Sequence, residues 1–207
     1  MRRVGLFGGS FDPPHRGHLV PVLAARRQLE LDAVLYLPTA RPPHKQHEEQ
    51  TPAHRRLAMV ELALLDHREL QVSDRELTPG RVAYTIDTVE ELQAEQPGTR
   101  FYLILGSDSF LQLPTWRRWT ELAAAVELAV LRRPGSSSLD LPDGAPPELA
   151  ALAAGSAAGS RVHRIEEEPL PYSSTDLRRC FAEGEEPSPG ALDDLVLRYI
   201  RKYALYR

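Results

Sequence analysis

The chain has one cysteine, Cys180, and two lysines, Lys45 and Lys202, among its 25 basic residues. A lone thiol excludes an intramolecular disulfide and a Cys-rich metal site, and it suits a reducing, cytoplasmic setting. Long apolar runs are missing too. No stretch approaches the roughly 18 residues that a membrane helix needs. The apolar run after Met1-Arg2-Arg3 is broken by glycine too early for a signal peptide. Excess positive charge is absent: 29 acidic residues leave a net charge of −4, which speaks against a general nucleic-acid binder. The pairs Arg117-Arg118 and Arg132-Arg133 are dispersed and read as solvated surface. No internal repeat is visible. What remains is 207 residues at 42% hydrophobic, enough for a real core and the size of one domain spanning 1–207. The scarcity of lysine makes Lys45, in the loop Pro42-Pro43-His44-Lys45, an unusual choice for this chain.

Strand and helix patterns alternate. Val4–Phe7, Val34–Leu37, Leu70–Val72, Phe101–Leu105, Leu128–Leu131 and Arg161–Ile165 read as strands. The fully apolar Phe101–Leu105 suits a parallel strand buried on both faces. Helices are expected from Leu19, over Pro52–Leu65, Thr85–Gln93 and Trp119–Ala125, and over Ser173–Phe181 and Gly190–Tyr203. This order predicts an α/β fold: a doubly wound parallel sheet with right-handed crossovers and a small C-terminal helical portion over 173–203. Between 134 and 160 the chain turns to Pro, Gly, Ser and Ala. That stretch reads as an exposed excursion with a short helix at Pro147–Ala153.

One segment carries most of the chemistry. Gly8-Gly9-Ser10-Phe11-Asp12-Pro13-Pro14-His15-Arg16-Gly17-His18 lies between the first strand and the first helix. A Gly-rich strand-to-helix turn aims backbone N–H groups at one spot. Adding His15 and His18 there suits a polyphosphate, and the carboxyl end of a strand is where such sheets bind ligands. A second helix start, Tyr172-Ser173-Ser174-Thr175-Asp176-Leu177-Arg178, reads as an N-cap with Ser173 and Asp176 at capping-box spacing. It also presents further N–H groups, with Arg178 one turn in as a charge clamp. The pairs His15/His18 and His44/His47 lie in turns rather than at i, i+4 on a helix, so no protein-held metal site is read from them.

The first segment resembles the H-x-G-H mark of the nucleotidyltransferase superfamily, and Ser173–Arg178 matches its S-S-T-x-x-R signature. Leu105–Trp119, Ala83–Thr88 and Arg41–Lys45 are similar to the nicotinate-nucleotide adenylyltransferases of the bacterial type. The resemblance runs over nearly the whole chain except the Pro/Gly/Ser-rich excursion. Two positions depart from it: Ser107 stands where the family commonly has alanine, and Pro14 where it commonly has a β-branched residue.

The resemblance implies adenylyl transfer from ATP to nicotinate mononucleotide, with Mg²⁺ on the phosphates and no protein nucleophile. It implies His15, His18, Lys45 and Arg178 as the catalytic group, with His18 nearest the α-phosphate and a partly protonated histidine facing developing charge. Gly8, Gly9, Ser10, Gly106, Asp108, Ser173, Ser174 and Thr175 join His15, His18 and Arg178 around ATP. Asp108 is either a ribose acceptor or a helix cap. Lys45, Thr85, Trp116 and Arg117 fall around nicotinate mononucleotide, with Trp116 stacking on the pyridine. Thr85 is either a carboxylate donor or a helix cap. The implied partners are these small molecules, with neither nucleic acid nor membrane. The implied setting is cytoplasmic, and a homo-oligomer is left open. Two other readings are a phosphopantetheine adenylyltransferase, which would lack Thr115–Trp119, and a nucleotide sensor without turnover.

Overall fold

All sheet pairings are parallel. The computed structural model describes residues 1–39, 50–78, 82–132, 141, 144–154, 161–168 and 170–207. Its strands are β1 (Arg3–Gly9), β2 (Ala33–Pro38), β3 (Leu70–Val72), β4 (Arg100–Gly106), β5 (Glu127–Leu131) and β6 (Val162–Ile165). They form a six-stranded sheet in the order β3-β2-β1-β4-β5-β6. The order reverses between β1 and β4, the position at which doubly wound sheets open a ligand crevice. Phe7 pairs with Ile104, so the strand ends at Gly9 and Gly106 lie level on the two sides of that point.

The helices are α1 (Arg16–Gln28), α2 (Ala53–Ala63), α3 (Thr85–Glu95), α4 (Ser107–Leu111), α5 (Trp119–Ala125), α6 (Pro147–Ala154), α7 (Ser174–Ala182) and α8 (Asp194–Lys202). Strand periodicity sorts them. Val4, Leu6, Phe101, Leu103, Leu105, Leu128 and Val130 pack with Ile86, Val89 and Leu92 of α3, Phe110 of α4 and Leu122 of α5. Their alternates Phe7, Val34, Tyr36, Tyr102, Ile104 and Ala129 pack with Val22 and Ala25 of α1 and Val60 of α2. Apolar side chains therefore leave both faces of the central strands, and the sheet is covered on both sides. A third cluster closes the far side of α2, where Met59 meets Leu177 of α7 and Val196 and Ile200 of α8.

Two expectations change. The excursion is not exposed throughout, because α6 buries Leu149 and Ala153 in the same cluster as α3 and α5. Their i, i+4 spacing gives the Ala-rich segment an apolar stripe. Residues 133–140, 142–143 and 155–160 lie outside the described residues. The last helix starts at Asp194 rather than near Gly190, because Asp193 caps it by accepting the Leu195 N–H at 2.8 Å. No described helix is long and apolar enough to cross a membrane.

Candidate active site

The turn between β1 and α1 is shaped by its two imidazoles. His15 is the N-cap of α1, and its Nδ1 accepts the Gly17 N–H at 3.1 Å. His18, three residues on, returns the contact: its Nδ1 accepts the His15 N–H at 3.2 Å. This is a capping box built from two histidines. The ring centroids lie 3.8 Å apart at 35°. With both Nδ1 atoms accepting, a neutral ring carries its proton on Nε2, so each imidazole is an N–H donor through that atom. Gly17 is required by the same packing. A Cβ there would lie 2.8 Å from His15 Cε1 and 2.9 Å from its Nδ1. Only a glycine lets the capping ring lie against the backbone it caps.

His15 is 8% exposed. Burial pushes its pKa down to about 4, so the ring is neutral near pH 7. Of the two histidines, His15 is therefore not a partly protonated one: desolvation disfavours the imidazolium, and His15 offers a neutral Nε2–H. An aromatic floor supports the pair. Phe11 meets His18 edge-on at 5.2 Å, and Phe7 meets Tyr36 edge-on at 5.3 Å. The Tyr36 hydroxyl donates to the His18 carbonyl at 3.0 Å.

The second signature closes on the back of this turn. Ser173 caps α7 by accepting the Asp176 N–H at 3.1 Å. Its hydroxyl also donates to the Asp176 carboxylate at 2.6 Å. The Ser174 hydroxyl donates to the Pro13 carbonyl at 2.9 Å. Arg178 Nη1 donates to the Asp12 carbonyl at 2.7 Å, and Nη2 reaches Thr175 Oγ1 at 3.4 Å. Arg178 thus grips the turn itself as well as lending it charge. The two signatures, at opposite ends of the sequence, form one structure.

Gly106 is the N-cap of α4 with no side-chain cap. Asp108 is therefore not the N-cap residue itself, and it is exposed in the first helical turn. Thr85 does not cap α3 either. The N-cap is Tyr84, without a side-chain bond, and Thr85 is the first helical residue. Around that helix start lie Arg117, whose guanidinium sits 4.6 Å over the Tyr84 ring and 3.5 Å from Asp87 Oδ2, and Trp116. Both Trp116 and Tyr84 are partly buried against the cluster on that sheet face, as is Trp119. Arg117 is thus tied to the start of α3 at Tyr84 and Asp87, and Trp116 packs on the cluster that α3 also enters. Lys45, with Arg41, His44 and His47, lies outside the described residues. Its loop leaves β2 at Thr39, whose N–H donates to the Gly9 carbonyl at 3.0 Å.

Three residues at the site were not anticipated as such. Asp12 is 3% exposed and Arg56 1% exposed. Arg56 donates to the Ser10 carbonyl at 2.6 Å and to the Thr51 carbonyl at 3.0 Å. Its spacing to Met59 and Val60 on α2 was a legible sign that it faces inward. Tyr206, beyond α8, donates to Asp12 Oδ1 at 2.7 Å, and nothing in the sequence pattern announces it.

Residues 6–180 match the cytidylyltransferase-like family model. Among curated relatives, a nicotinate-nucleotide adenylyltransferase of Pseudomonas syringae pv. tomato is 40% identical, with 100% of this chain and 94% of the relative aligned. One from Solibacter usitatus is 38% identical over 99% of each. Among solved structures, the nicotinic acid mononucleotide adenylyltransferase of Plasmodium falciparum, complexed with NaAD, superposes with a TM-score of 0.77 at 18% identity, covering 100% of this chain and 98% of that one. That likeness shows the shared fold. With both signatures assembled on one turn and relatives matched end to end, the chain belongs to the nicotinate-nucleotide adenylyltransferase family.

Proposed function

We infer that this chain transfers the adenylyl group of ATP to nicotinate mononucleotide, giving nicotinate adenine dinucleotide and pyrophosphate. A 5′-phosphate oxygen of the mononucleotide bonds to the α-phosphorus of ATP as the bond to the pyrophosphate oxygen breaks in line. Such a step needs positioning and charge stabilisation rather than a protein nucleophile. The observation that carries this reading is the reciprocal His15–His18 cap at the end of β1. It fixes two imidazoles so that each has an Nε2–H to give to phosphate oxygens. His18 is assigned to the α-phosphate, and His15 to the neighbouring oxygens as a neutral donor. Lys45 and Arg178 are assigned to the charge of the leaving pyrophosphate.

Gly8, Gly9 and Ser10 are the backbone approach to the triphosphate. Gly106, Asp108 and the start of α7 at Ser173–Thr175 are the adenosine side. Thr85, Trp116 and Arg117 are the pyridine side, where Thr85 and the backbone N–H near Arg117 are the donors for an acceptor that is itself a carboxylate. Mg²⁺ fits as an ion carried on the phosphates with its own waters. Among the described residues no cluster of His, Cys, Asp and Glu could hold a metal ion, and both oxygens of Asp12 are engaged by Thr51 and Tyr206. The metal would supply charge neutralisation on the triphosphate; the protein's part is to hold that triphosphate still.

The test is pyrophosphate release from ATP and Mg²⁺ with nicotinate mononucleotide, nicotinamide mononucleotide or phosphopantetheine as acceptor. Preference for the nicotinate acceptor is expected. Turnover with phosphopantetheine alone would overturn the assignment of Trp116. ATP binding without turnover on any acceptor would mark a nucleotide sensor instead.

A further inference from the structure

We propose that Tyr206 is a positioning residue for the phosphate-binding turn, acting through the buried carboxylate of Asp12. This rests on the reading of that turn as the ATP phosphate site. Asp12 lies three residues before the capping His15 and is 3% exposed. Its Oδ2 accepts the Thr51 N–H at 3.1 Å and its Oδ1 accepts the Tyr206 hydroxyl at 2.7 Å. The carbonyls of the same turn are held from behind: Ser10 by Arg56, Asp12 by Arg178 and Pro13 by Ser174. The Arg16 N–H at the start of α1 donates to the Ala191 carbonyl at 2.9 Å. The turn is therefore suspended from α2, α7 and the stretches flanking α8, and Tyr206 supplies the side-chain contact from beyond α8.

Two observations argue that this contact is more than packing. Tyr206 has φ +67°, a conformation that a bulky side chain adopts only when its surroundings impose it. In that conformation its hydroxyl reaches Asp12. The ring is independently seated, stacked on Phe181 at 6.0 Å with its hydroxyl 3.9 Å from Met59 Sδ. Tyr206→Phe therefore keeps the ring and removes the hydroxyl, which donates to Asp12 and also bonds the Thr51 side chain, leaving a buried carboxylate oxygen without its donor. A displaced Asp12 carries Pro13, Pro14 and the His15 cap with it. Small displacements of groups that grip a reacting phosphate are costly in rate.

The experiment compares the wild-type protein with Tyr206→Phe, Asp12→Ala, the double variant and a control. The control is Tyr199→Phe, which removes the acceptor of Arg55 Nη1 at 3.2 Å on the outer α2–α8 contact. Calorimetric affinity for Mg·ATP is measured alongside kcat and KM. Tyr206→Phe is expected to weaken Mg·ATP about tenfold and lower kcat by a similar factor, with KM for nicotinate mononucleotide unchanged. The double variant should be no worse than Asp12→Ala alone, because Asp12→Ala already removes the acceptor of the Tyr206 hydroxyl. Tyr199→Phe should leave ATP affinity and kcat alone. Wild-type ATP affinity in Tyr206→Phe, strict additivity in the double variant, or an equal deficit in Tyr199→Phe would each overturn the proposal. A wild type that binds ATP but turns over no acceptor would remove the enzymatic reading, and the ATP affinities would still decide this one.

Discussion

The turn that carries His15 and His18 and the segment that carries Trp116 and Arg117 serve the two ends of one proposed reaction, and they are built in opposite ways. The turn is buried from Phe11 to His15. It is tied by neutral and charged donors from α2, α7 and the segment after α8, and it rests on an aromatic floor. The Trp116 segment packs its two tryptophans on the sheet cluster and adds exposed charges around them. Arg118, in the left-handed region at φ +52°, meets Glu90 at 2.7 Å and Glu121 at 2.7 Å, and Arg117 meets Asp87. Such surface pairs are individually weak and screened by salt. The difference follows from the chemistry. The phosphate end must present donors to charge that shifts along the triphosphate as the bonds exchange, which rewards rigidity. The pyridine end has only to bind a ring and its carboxylate, which do not react.

The contrast is tested most severely at Gly17. A methyl group there meets the His15 ring at under 3 Å, so Gly17→Ala must push the ring off the helix start. We expect kcat/KM for ATP to fall roughly 100-fold, with KM for nicotinate mononucleotide little changed. A fall of only a few fold would mean that the ring has room to adjust, and that the turn is no more rigid than the segment across from it.

Acidification probes the same burial. The pKa of His15 falls from the ordinary 6.5 to about 4 in the folded protein. Between those values the unfolded chain binds a proton that the folded chain refuses. The stability this confers is complete above pH 6.5 and is lost as the pH drops towards 4. The loss is of order 3 kcal/mol at most. His15→Asn keeps a side-chain acceptor at the N-cap and removes the titration. Urea unfolding at pH 7 and pH 4.5 should show the wild type losing roughly 2 kcal/mol more than the variant. Equal losses would show a solvated ring.

On the pyridine side Arg118→Ala provides the counterpart. Releasing Glu90 and Glu121 should raise KM for nicotinate mononucleotide a few fold, leave KM for ATP unchanged, and matter less at high salt. A large loss of kcat would break the contrast, because the segment would then be held as tightly as the turn.

The legibility of the chain divides along the same line. Phe101–Leu105, with no polar residue, announced a strand buried on both faces, and the S-S-T stretch announced a capped helix start; both are local patterns. The histidine pair was legible as a candidate phosphate site at the end of β1, but not as a reciprocal cap that fixes its own tautomer, because that depends on ring orientation rather than spacing. The neutral state of His15 was hidden for the same reason: burial is a property of the assembled fold. The spacing of Arg56 to Met59 and Val60 marked it as inward-facing, but not what it holds, and Tyr206 looks like a surface residue until the turn it holds is placed against it. The helical portion that the sequence presents as an appendage is the support of the site.

That support contains a built-in weakness. Helices α1, α7 and α8 end alike, with 6→1 backbone bonds from Leu31 to Arg26 at 2.9 Å, Glu185 to Cys180 at 2.9 Å and Leu205 to Ile200 at 3.1 Å. Each needs a left-handed residue just past the helix. The α7 end uses Gly184 at φ +73°, whereas α1 uses Glu30 at φ +50° and α8 uses Ala204 at φ +50°. A Cβ in that conformation costs about 1–2 kcal/mol, and a glycine gives back about 0.4–1 kcal/mol through the freedom of its unfolded chain. Ala204→Gly should therefore stabilise the protein by about 0.5–1 kcal/mol, read as a higher urea midpoint at unchanged slope. If the bend at Ala204 serves only to deliver the Tyr206 hydroxyl to Asp12, kcat stays at the wild-type value, because glycine accepts the same bend. A stabilised protein with reduced kcat would show that the stiffness of the stretch, and not the hydrogen bond alone, holds the turn in place.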